Sequence, residues 1–192
     1  SKAGLNAYNQ AGKKGRYVLY NAFDLNRVPI KSKVKLKQKL GFDDKFTVVM
    51  VASMINSKDQ TTLIKSAKIL LEYNDDIQFY FVGDGPKKQE YLALVSFLGL
   101  KENIFFTGEV NVPEEYFKAS DSSPSSVYEA MACKTPVIIS DLPWYQGNFE
   151  KDRDMVVVPV RDVEKLANAI IQVISGEKTV DVDSAYQKVY NN

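Results

Sequence analysis

The sequence predicts an α/β protein: a Rossmann-like, doubly wound parallel sheet with helices on both faces. Short apolar runs alternate with longer segments in which apolar residues recur at helical spacing. Some runs, such as residues 47–51, are apolar throughout, as expected for strands that helices cover on both sides. Strict alternation of strand and helix favours a parallel sheet. The 192 residues are enough for one such domain with a buried core.

Each element is predicted from its own pattern. The predicted strands are Tyr17–Tyr20, Phe46–Val51, Ile77–Val82, Ile104–Thr107, Pro136–Ile139 and Met155–Val158. Helices are predicted around Leu63–Leu71, Tyr91–Leu98 and Val163–Ile174. The first eleven residues resemble a helix end and a loop, and Asp183–Asn192 an amphipathic helix that no strand follows. In such a fold, ligands bind where the carboxyl ends of the strands meet helix starts.

The composition is that of a soluble globular protein, with 45 % hydrophobic and 26 % charged residues. Because Lys+Arg 25 and Asp+Glu 24 nearly cancel, we expect no nucleic-acid partner. No run reaches membrane-spanning length and no secretory signal opens the sequence, so we expect a cytoplasmic protein. The single cysteine, Cys133, is predicted to be a core thiol.

The absence of histidine limits the chemistry that this chain can perform. It removes the Ser-His and Cys-His nucleophile pairs and the usual zinc sites. Any general acid or base supplied by the chain must therefore be Asp, Glu, Lys or Tyr.

Residues 125–141 form the most informative segment. A helix is predicted to open at Ser123-Pro124, where a hydroxyl caps it and a proline suits its first turn. The free amides at such a helix start attract phosphate, and Glu129 lies far enough along to reach a sugar or ribose hydroxyl. The alternative is a buried Ala-Met-Ala helix with an exposed glutamate. These residues alone leave both interpretations open.

Three strand ends add weaker signals. Lys58 ends a polar loop after the second predicted strand and could neutralise a phosphate, although a solvated lysine explains this residue better when it is taken alone. Gly83 and Gly85 allow a tight turn and close backbone approach, but Lys88 stands where a dinucleotide fingerprint has its third glycine. Gly108 could expose backbone groups to a base edge, or form a plain turn.

Taken in order, these segments resemble the carboxyl-terminal domain of a GT-B-fold glycosyltransferase, of retaining family 4 (glycosyl transferases group 1). The matching segments are Ser1–Leu5, Tyr20–Asp24, Leu40-Gly41-Phe42, Lys58, Gly83–Pro86, Phe106-Thr107-Gly108, Glu129–Ala132 and Pro136-Val137. The resemblance thus runs through nearly the whole chain. Its most specific part is Glu129-Ala130-Met131-Ala132 followed by Pro136-Val137.

The resemblance implies a role for each candidate residue. Glu129 would be the second acid of the family's paired-glutamate motif and bind the donor ribose, while Lys58 would hold the diphosphate and stabilise it as a leaving group. These two are the candidate catalytic residues. The implied donor-binding set is Ser53, Lys58, Gly83, Gly85, Gly108, Ser123, Ser125, Ser126 and Glu129. The implied reaction transfers a hexosyl group from a UDP- or GDP-sugar to an acceptor hydroxyl with retention, in polysaccharide or glycolipid synthesis, without a metal or cofactor.

The chain departs from the family in two places. Ala52-Ser53 stands where the family often has Gly-Arg, so a second cation for the diphosphate is missing there. The family also places an apolar strand and the first acid ahead of Glu129, whereas here Asp121 runs directly into Ser122. Asp121 lies eight residues before Glu129, where the first acid belongs, but it also fits the residue that precedes the family's strand. We favour the second interpretation and hypothesise that the molecule carries further residues between Asp121 and Ser122.

A GT-B enzyme has two such domains, and its acceptor pocket belongs largely to the amino-terminal one. The resemblance therefore implies that residues 1–22 are an interdomain segment, 23–178 the donor-binding domain, and 179–192 a helix that returns to the absent domain. The chain would be inactive alone, and its acceptor would be a sugar or a lipid-linked sugar. A peripheral contact at the cytoplasmic face of a membrane would follow, and the lysines of residues 31–39 could contribute to it, although a solvated helix and loop explain them better.

Two other functions fit the same residues. A non-catalytic nucleotide-sugar-binding or regulatory subunit with the same fold would suit the missing arginine and the uncertain first acid. A sugar-nucleotide epimerase of similar two-domain fold is the third candidate, and the Glu129–Ala132 signature matches transferases better.

Overall fold

The computed structural model describes residues 23–124, 126–142 and 148–191. The predicted strand Tyr17–Tyr20, the interdomain segment 1–22 and Ser125 lie outside these ranges. The strands are β1 (Phe46–Val51), β2 (Ile77–Val82), β3 (Ile104–Gly108), β4 (Ile138–Ser140) and β5 (Val156–Val158). The helices are α1 (Lys33–Leu40), α2 (Gln60–Tyr73), α3 (Lys88–Phe97), α4 (Pro113–Ala119), α5 (Val127–Ala132), α6 (Val163–Ile174) and α7 (Val182–Tyr190).

The strands form two parallel sheets that a short segment joins. β1 pairs with β2 and β2 with β3 in one sheet, and β4 pairs with β5 in the other. Between them, Ser122 forms a parallel bridge with Val48, and Ser123 forms one with Val137. The order across the molecule is therefore β3-β2-β1, then Ser122-Ser123, then β4-β5. From β1 the chain adds β2 and β3 on one side, and after β3 it returns to add the remaining strands on the other side of β1. This change beside β1 is the switch point of a doubly wound fold.

Helices cover both faces of this layer. On one face, α2, α3 and α6 pack on alternate strand residues, such as Val48, Phe79 and Ile138. On the other face, α1, α4, α5 and α7 pack on the intervening residues, such as Val49 and Val157. This period of two distributes one strand's apolar residues between two cores, as its continuous apolar run predicts. The predicted fold class is confirmed.

The predicted elements agree with the structure over most of their length. β1 and β2 have the predicted bounds, whereas β3 extends to Gly108 and β4 begins at Ile138 rather than Pro136. The predicted helix start at Ser123-Pro124 is wrong. The Ser123 amide donates to the Pro136 carbonyl at 3.0 Å and its carbonyl accepts from Ile138 at 3.1 Å, so Ser123 belongs to the sheet. The helix, α5, begins at Val127.

The alternative reading of Asp121 as the first acid is excluded by its place in the sheet. Its carboxylate accepts hydrogen bonds from the Thr47 amide at 2.9 Å and from Lys33 at 2.5 Å, at the amino end of β1. That edge lies opposite the carboxyl ends of the strands. The Asp121 and Ser122 amides both donate to the Thr47 carbonyl, at 2.8 and 3.3 Å. The additional residues hypothesised between them stay a prediction.

Three lysines of the run at residues 31–39 are not simply solvated, because they form ion pairs within the domain. Lys33 and Lys37 both pair with Asp121, at 2.5 and 3.3 Å, and Lys39 pairs with Glu115 on α4. These ion pairs fix α1 to the sheet and to α4. The run therefore has a structural role within the domain.

Candidate functional site

A cleft of about 830 Å³ opens at the carboxyl ends of the strands, beside the switch point. Its wall combines the residues that follow each strand with the starts of three helices. From the β1 and β2 side come Met50–Ser53, Asn56–Asp59 and Val82–Asp84; the β3 loop adds Glu109, Val110 and Pro113; the other half adds Pro124, Ser126, Val127, Ile139, Ser140, Leu142, Val160 and Arg161. The position is the one that a doubly wound sheet predicts for a ligand.

Beside the cleft, the loops after β1 and β2 and the end of β3 are hydrogen-bonded backbone to backbone. The Met54 amide donates to the Asp84 carbonyl at 2.8 Å, and the Gly83 amide donates to the Gly108 carbonyl at 2.8 Å. A Cβ on Gly83 would lie 2.4 Å from the Ala52 carbonyl oxygen, and one on Gly85 would lie 2.7 Å from that of Met54. Both glycines thus provide the close backbone approach predicted for them, and it is an approach to the neighbouring loop.

Lys58 stands at the end of a 3-10 turn, Asn56–Lys58, directly before α2. The buried side chain of Gln60 supports this loop by donating from Nε2 to the Ser53 carbonyl at 2.9 Å. Asp59, with φ of 53°, turns the chain from the loop into the helix. Lys58 itself is exposed, on the wall of the cleft.

Ser126 is the residue at the start of α5, but its hydroxyl bonds to β1 instead of capping the helix. Ser126 has φ of 41°, and its hydroxyl donates to the Val51 carbonyl at 3.0 Å, which ties α5 to the end of β1. No side-chain cap bond is made at this end of the helix. Glu129 lies in the first turn of α5, half-buried.

The acids on the wall differ in how they are engaged. Asp84 pairs with Lys88 at 2.7 Å and accepts from the Gly85 amide at 2.7 Å; these two hydrogen bonds, the lysine's first, hold the pKa of Asp84 below its ordinary value. Asp59 accepts from the Thr62 hydroxyl at 2.7 Å. Within the described ranges, Lys58 and Arg161 are the two cations on the wall, and neither takes part in an ion pair. The cleft can therefore offer positive charge to an anion.

The structure brings some of the predicted site residues together and leaves others off the wall. Those on the wall are Ser53, Lys58, Gly83 and Ser126. Gly85, Gly108, Ser123 and Glu129 do not line the cleft, Ser123 because it is buried in the sheet. Their roles in donor binding stay predictions, as do those of the residues on the wall.

Arg161 is a charged wall residue outside the set predicted from the sequence. It follows β5, and a cation after a strand end is the same signal that singled out Lys58. Because Met155–Val158 is a predicted strand, the sequence carries this signal for Arg161 as well.

The remaining features of the chain have simpler roles. Cys133 is buried, as predicted, and burial raises the pKa of its thiol to about 12, which suits a core residue. Among the described residues, no group of histidine, cysteine and acidic side chains is placed to hold a metal ion. Over the same ranges, every helix is too short or too polar to cross a bilayer.

Several known proteins are similar to this chain in sequence. The poly(ribitol-phosphate) alpha-N-acetylglucosaminyltransferase of Staphylococcus aureus is 23 % identical over 174 residues, which are 84 % of this chain and 35 % of that protein. A second relative is the N-acetylgalactosamine-N,N'-diacetylbacillosaminyl-diphospho-undecaprenol 4-alpha-N-acetylgalactosaminyltransferase of Campylobacter jejuni. It is 27 % identical over 91 % of this chain and 47 % of its own length. This chain thus spans less than half of either relative.

The solved structures agree on the fold. The Anabaena protein HepE, crystallised with UDP, superposes with a TM-score of 0.76 at 24 % identity, over 100 % of this chain and 61 % of that one. The sequence profile of the family described as "Glycosyl transferases group 1" matches residues 32–188. These residues include both halves of the sheet and most of the cleft wall, and so the chain belongs to the group 1 glycosyltransferases.

Proposed function

We propose that this chain is the donor-binding domain of a glycosyltransferase that moves a hexosyl group from a UDP- or GDP-sugar to an acceptor hydroxyl, with retention, in polysaccharide or glycolipid synthesis. The observation that carries the proposal is the cleft at the switch point, with Lys58 on its wall and in no ion pair with any residue that the structure describes. Family membership and relatives named as transferases support it.

The proposed chemistry is electrostatic. Negative charge grows on the diphosphate as the bond to the sugar breaks, and a cation fixed beside it lowers the barrier. Lys58 is suited to this role because its loop is held by Gln60 and by the start of α2. Glu129 would hold the ribose, and the leaving-group charge would be met by protein cations, so the proposal needs no metal ion.

The acceptor site is proposed to lie outside this chain. The chain spans 35 % and 47 % of its two relatives, and in a two-domain enzyme the acceptor enters from the facing domain. We therefore propose that this part is inactive alone. A lipid-linked acceptor would bring the whole protein to the cytoplasmic face of a membrane by peripheral contact.

Calorimetric titration of the chain with UDP, GDP and ADP tests the proposal. We expect one of the uracil or guanine nucleotides to bind, and Lys58→Gln to weaken that binding about tenfold, because a charge-assisted bond to phosphate is lost. Lys65→Gln, which removes an exposed lysine on α2 away from the cleft, is the matched control and should bind as the unchanged chain does. Binding of none of the three nucleotides would contradict the proposal.

A second candidate, a non-catalytic nucleotide-sugar binder, is favoured by one observation. Asp121, which stands at the sequence position of the first acid, lies at the opposite edge of the sheet from the cleft. The two candidates differ in turnover, because both bind donor but only the enzyme consumes it. Donor consumption by the full-length protein with a lipid-linked or oligosaccharide acceptor therefore distinguishes them.

A further inference from the structure

We propose that Arg161 is a second phosphate-binding cation of the cleft, which meets the donor diphosphate from the β5 side while Lys58 meets it from the β1 side. The inference rests on the proposed function, since it takes the occupant to be a nucleoside diphosphate. It adds a specific residue, on a part of the chain to which the sequence reasoning gave no role.

The placement of Arg161 follows from the path of the chain after β5. The strand ends at Val158, and Val160 and Arg161 then lie on the cleft wall before α6 begins at Val163. Lys58 reaches the same cleft from the loop after β1, on the other side of the switch point. An anion seated between the two halves of the sheet is therefore offered one cation from each half.

Among the residues that the structure describes, none forms an ion pair with the Arg161 guanidinium. Its neighbour Asp162 is engaged as the cap of α6, where its carboxylate accepts from the Lys165 amide at 2.9 Å. On the wall, Asp84 is paired with Lys88, Asp59 accepts from Thr62, and the third acid, Glu109, takes part in no ion pair with a described residue. A guanidinium stays charged at any physiological pH and presents several donors in a plane, which suits bidentate binding of phosphate oxygens.

The backbone of Arg161 gives an independent argument. Its φ is 58°, in the left-handed region where glycine is relaxed and a side chain is strained. The described non-glycine residues with positive φ are Asp59, Ser126, Lys134, Asp152 and Arg161. Three of these, Asp59, Ser126 and Arg161, line the cleft. Strained backbone of this kind clusters at functional sites. An arginine is kept at a position that favours glycine when its side chain has a function, which here is the binding of phosphate.

The strain also makes Arg161→Gly a sharp test. This variant relieves the backbone and removes the charge, so it should keep or raise the melting temperature of the chain. At the same time, UDP should bind about tenfold more weakly by calorimetry, because a charge-assisted phosphate contact is lost. The affinity of this variant for UMP, which has one phosphate fewer, should fall by a smaller factor. Lys165→Gln is the matched control: it removes one positive charge from an exposed residue four positions further on, outside the cleft wall.

The outcomes separate the two proposals. Weaker UDP binding by Arg161→Gly, with an unchanged or higher melting temperature and with Lys165→Gln binding normally, supports the inference. Unchanged UDP affinity in Arg161→Gly overturns it, and so does an equal loss in Lys165→Gln, which would reflect net charge rather than contact. If the unchanged chain binds neither UDP nor GDP, the proposed function fails and the inference fails with it.

Discussion

At the scale of single residues, Gly83 decides whether the loops beside the cleft can approach each other. Its φ is 134°, and a Cβ there would lie 2.4 Å from the Ala52 carbonyl oxygen and 3.0 Å from the carbonyl carbon. These are backbone atoms, and the hydrogen bonds between β1 and β2 hold them in place, since the Ala52 amide donates to the Val82 carbonyl at 3.0 Å. The clash cannot be relieved by rotating a side chain.

Gly83→Ala is therefore expected to destabilise the chain by about 3 kcal/mol, from backbone strain together with overpacking. Gly176→Ala is the control, because Gly176 has φ of 74° but nothing within 4 Å of its added Cβ. That variant should cost only about 1 kcal/mol, the strain alone. Urea unfolding of the two variants measures the difference. Equal losses would mean that the contact with Ala52 is not what requires glycine at position 83.

Residue chemistry of this kind was partly predictable from the sequence. Two glycines directly after an apolar strand indicate close backbone approach, and the structure confirms it for both. Ser123 was misassigned because a serine before a proline resembles a helix cap, whereas its amide and carbonyl are used by the neighbouring β4 segment. That use is a long-range pairing, which local pattern does not encode.

At the scale of elements, the carboxyl-terminal helix α7 is fixed to the domain by a buried acid. Asp154 is fully buried and accepts from Lys188 at 2.6 Å and from the Ser184 hydroxyl at 2.8 Å, both on α7. It also accepts from the Glu150 amide at 2.7 Å, and Lys188 reaches the Glu150 carboxylate at 2.7 Å. Together with buried Val189, these bonds dock α7 beside α5. Its predicted return to a second domain stays a prediction.

The carboxylates of Asp154 and Glu150 make the stability of the chain depend on pH in the acid range. Burial alone raises the pKa of Asp154, but hydrogen bonds from Glu150, Lys188 and Ser184 outweigh it and hold the pKa below its ordinary value of 3.8. A lowered folded-state pKa contributes stability above the unfolded value and loses it as the pH falls through the folded one. Hydrogen bonds from Lys188 and then Arg153 lower the pKa of Glu150 as well. We therefore expect the free energy of unfolding to fall as the pH drops below about 4.

The variant Asp154→Asn should lower the free energy of unfolding by about 2 kcal/mol at neutral pH, because the charge-assisted bonds to α7 are lost. The free energy of unfolding should then also depend less on pH in the acid range. Asp75→Asn, at an exposed carboxylate, is the control and should leave the acid dependence as it is. Thermal unfolding from pH 3 to pH 7 measures both, the range being set by the ordinary carboxyl pKa of about 4. A steep acid loss that persists in Asp154→Asn would place its cause elsewhere.

At the scale of the whole molecule, one short segment joins the backbones of the two sheets, which also share the core beneath α2, α3 and α6. Ser122 accepts from the Val49 amide at 3.0 Å, and Ser123 accepts from the Ile138 amide at 3.1 Å. These two hydrogen bonds join the backbones of the two sheets at the switch point, beside the cleft. The sequence predicted the strands on either side, but not this link, because a crossing of two residues is too short to show any periodicity.

Hydrogen exchange provides the test of that connection. If the two sheets form one cooperative unit, the amides of Val49 and Ile138 should exchange with the same free energy, equal to that of global unfolding. The Gly99 amide, which donates to Ser96 in a turn, should exchange more readily through local opening and serves as the internal control. Exchange of Ile138 at a lower free energy than Val49 would mean that β4 and β5 open on their own. In that case the cleft would lose the side that carries Arg161 while the side that carries Lys58 stays folded, and donor binding would have to select the closed form of the molecule.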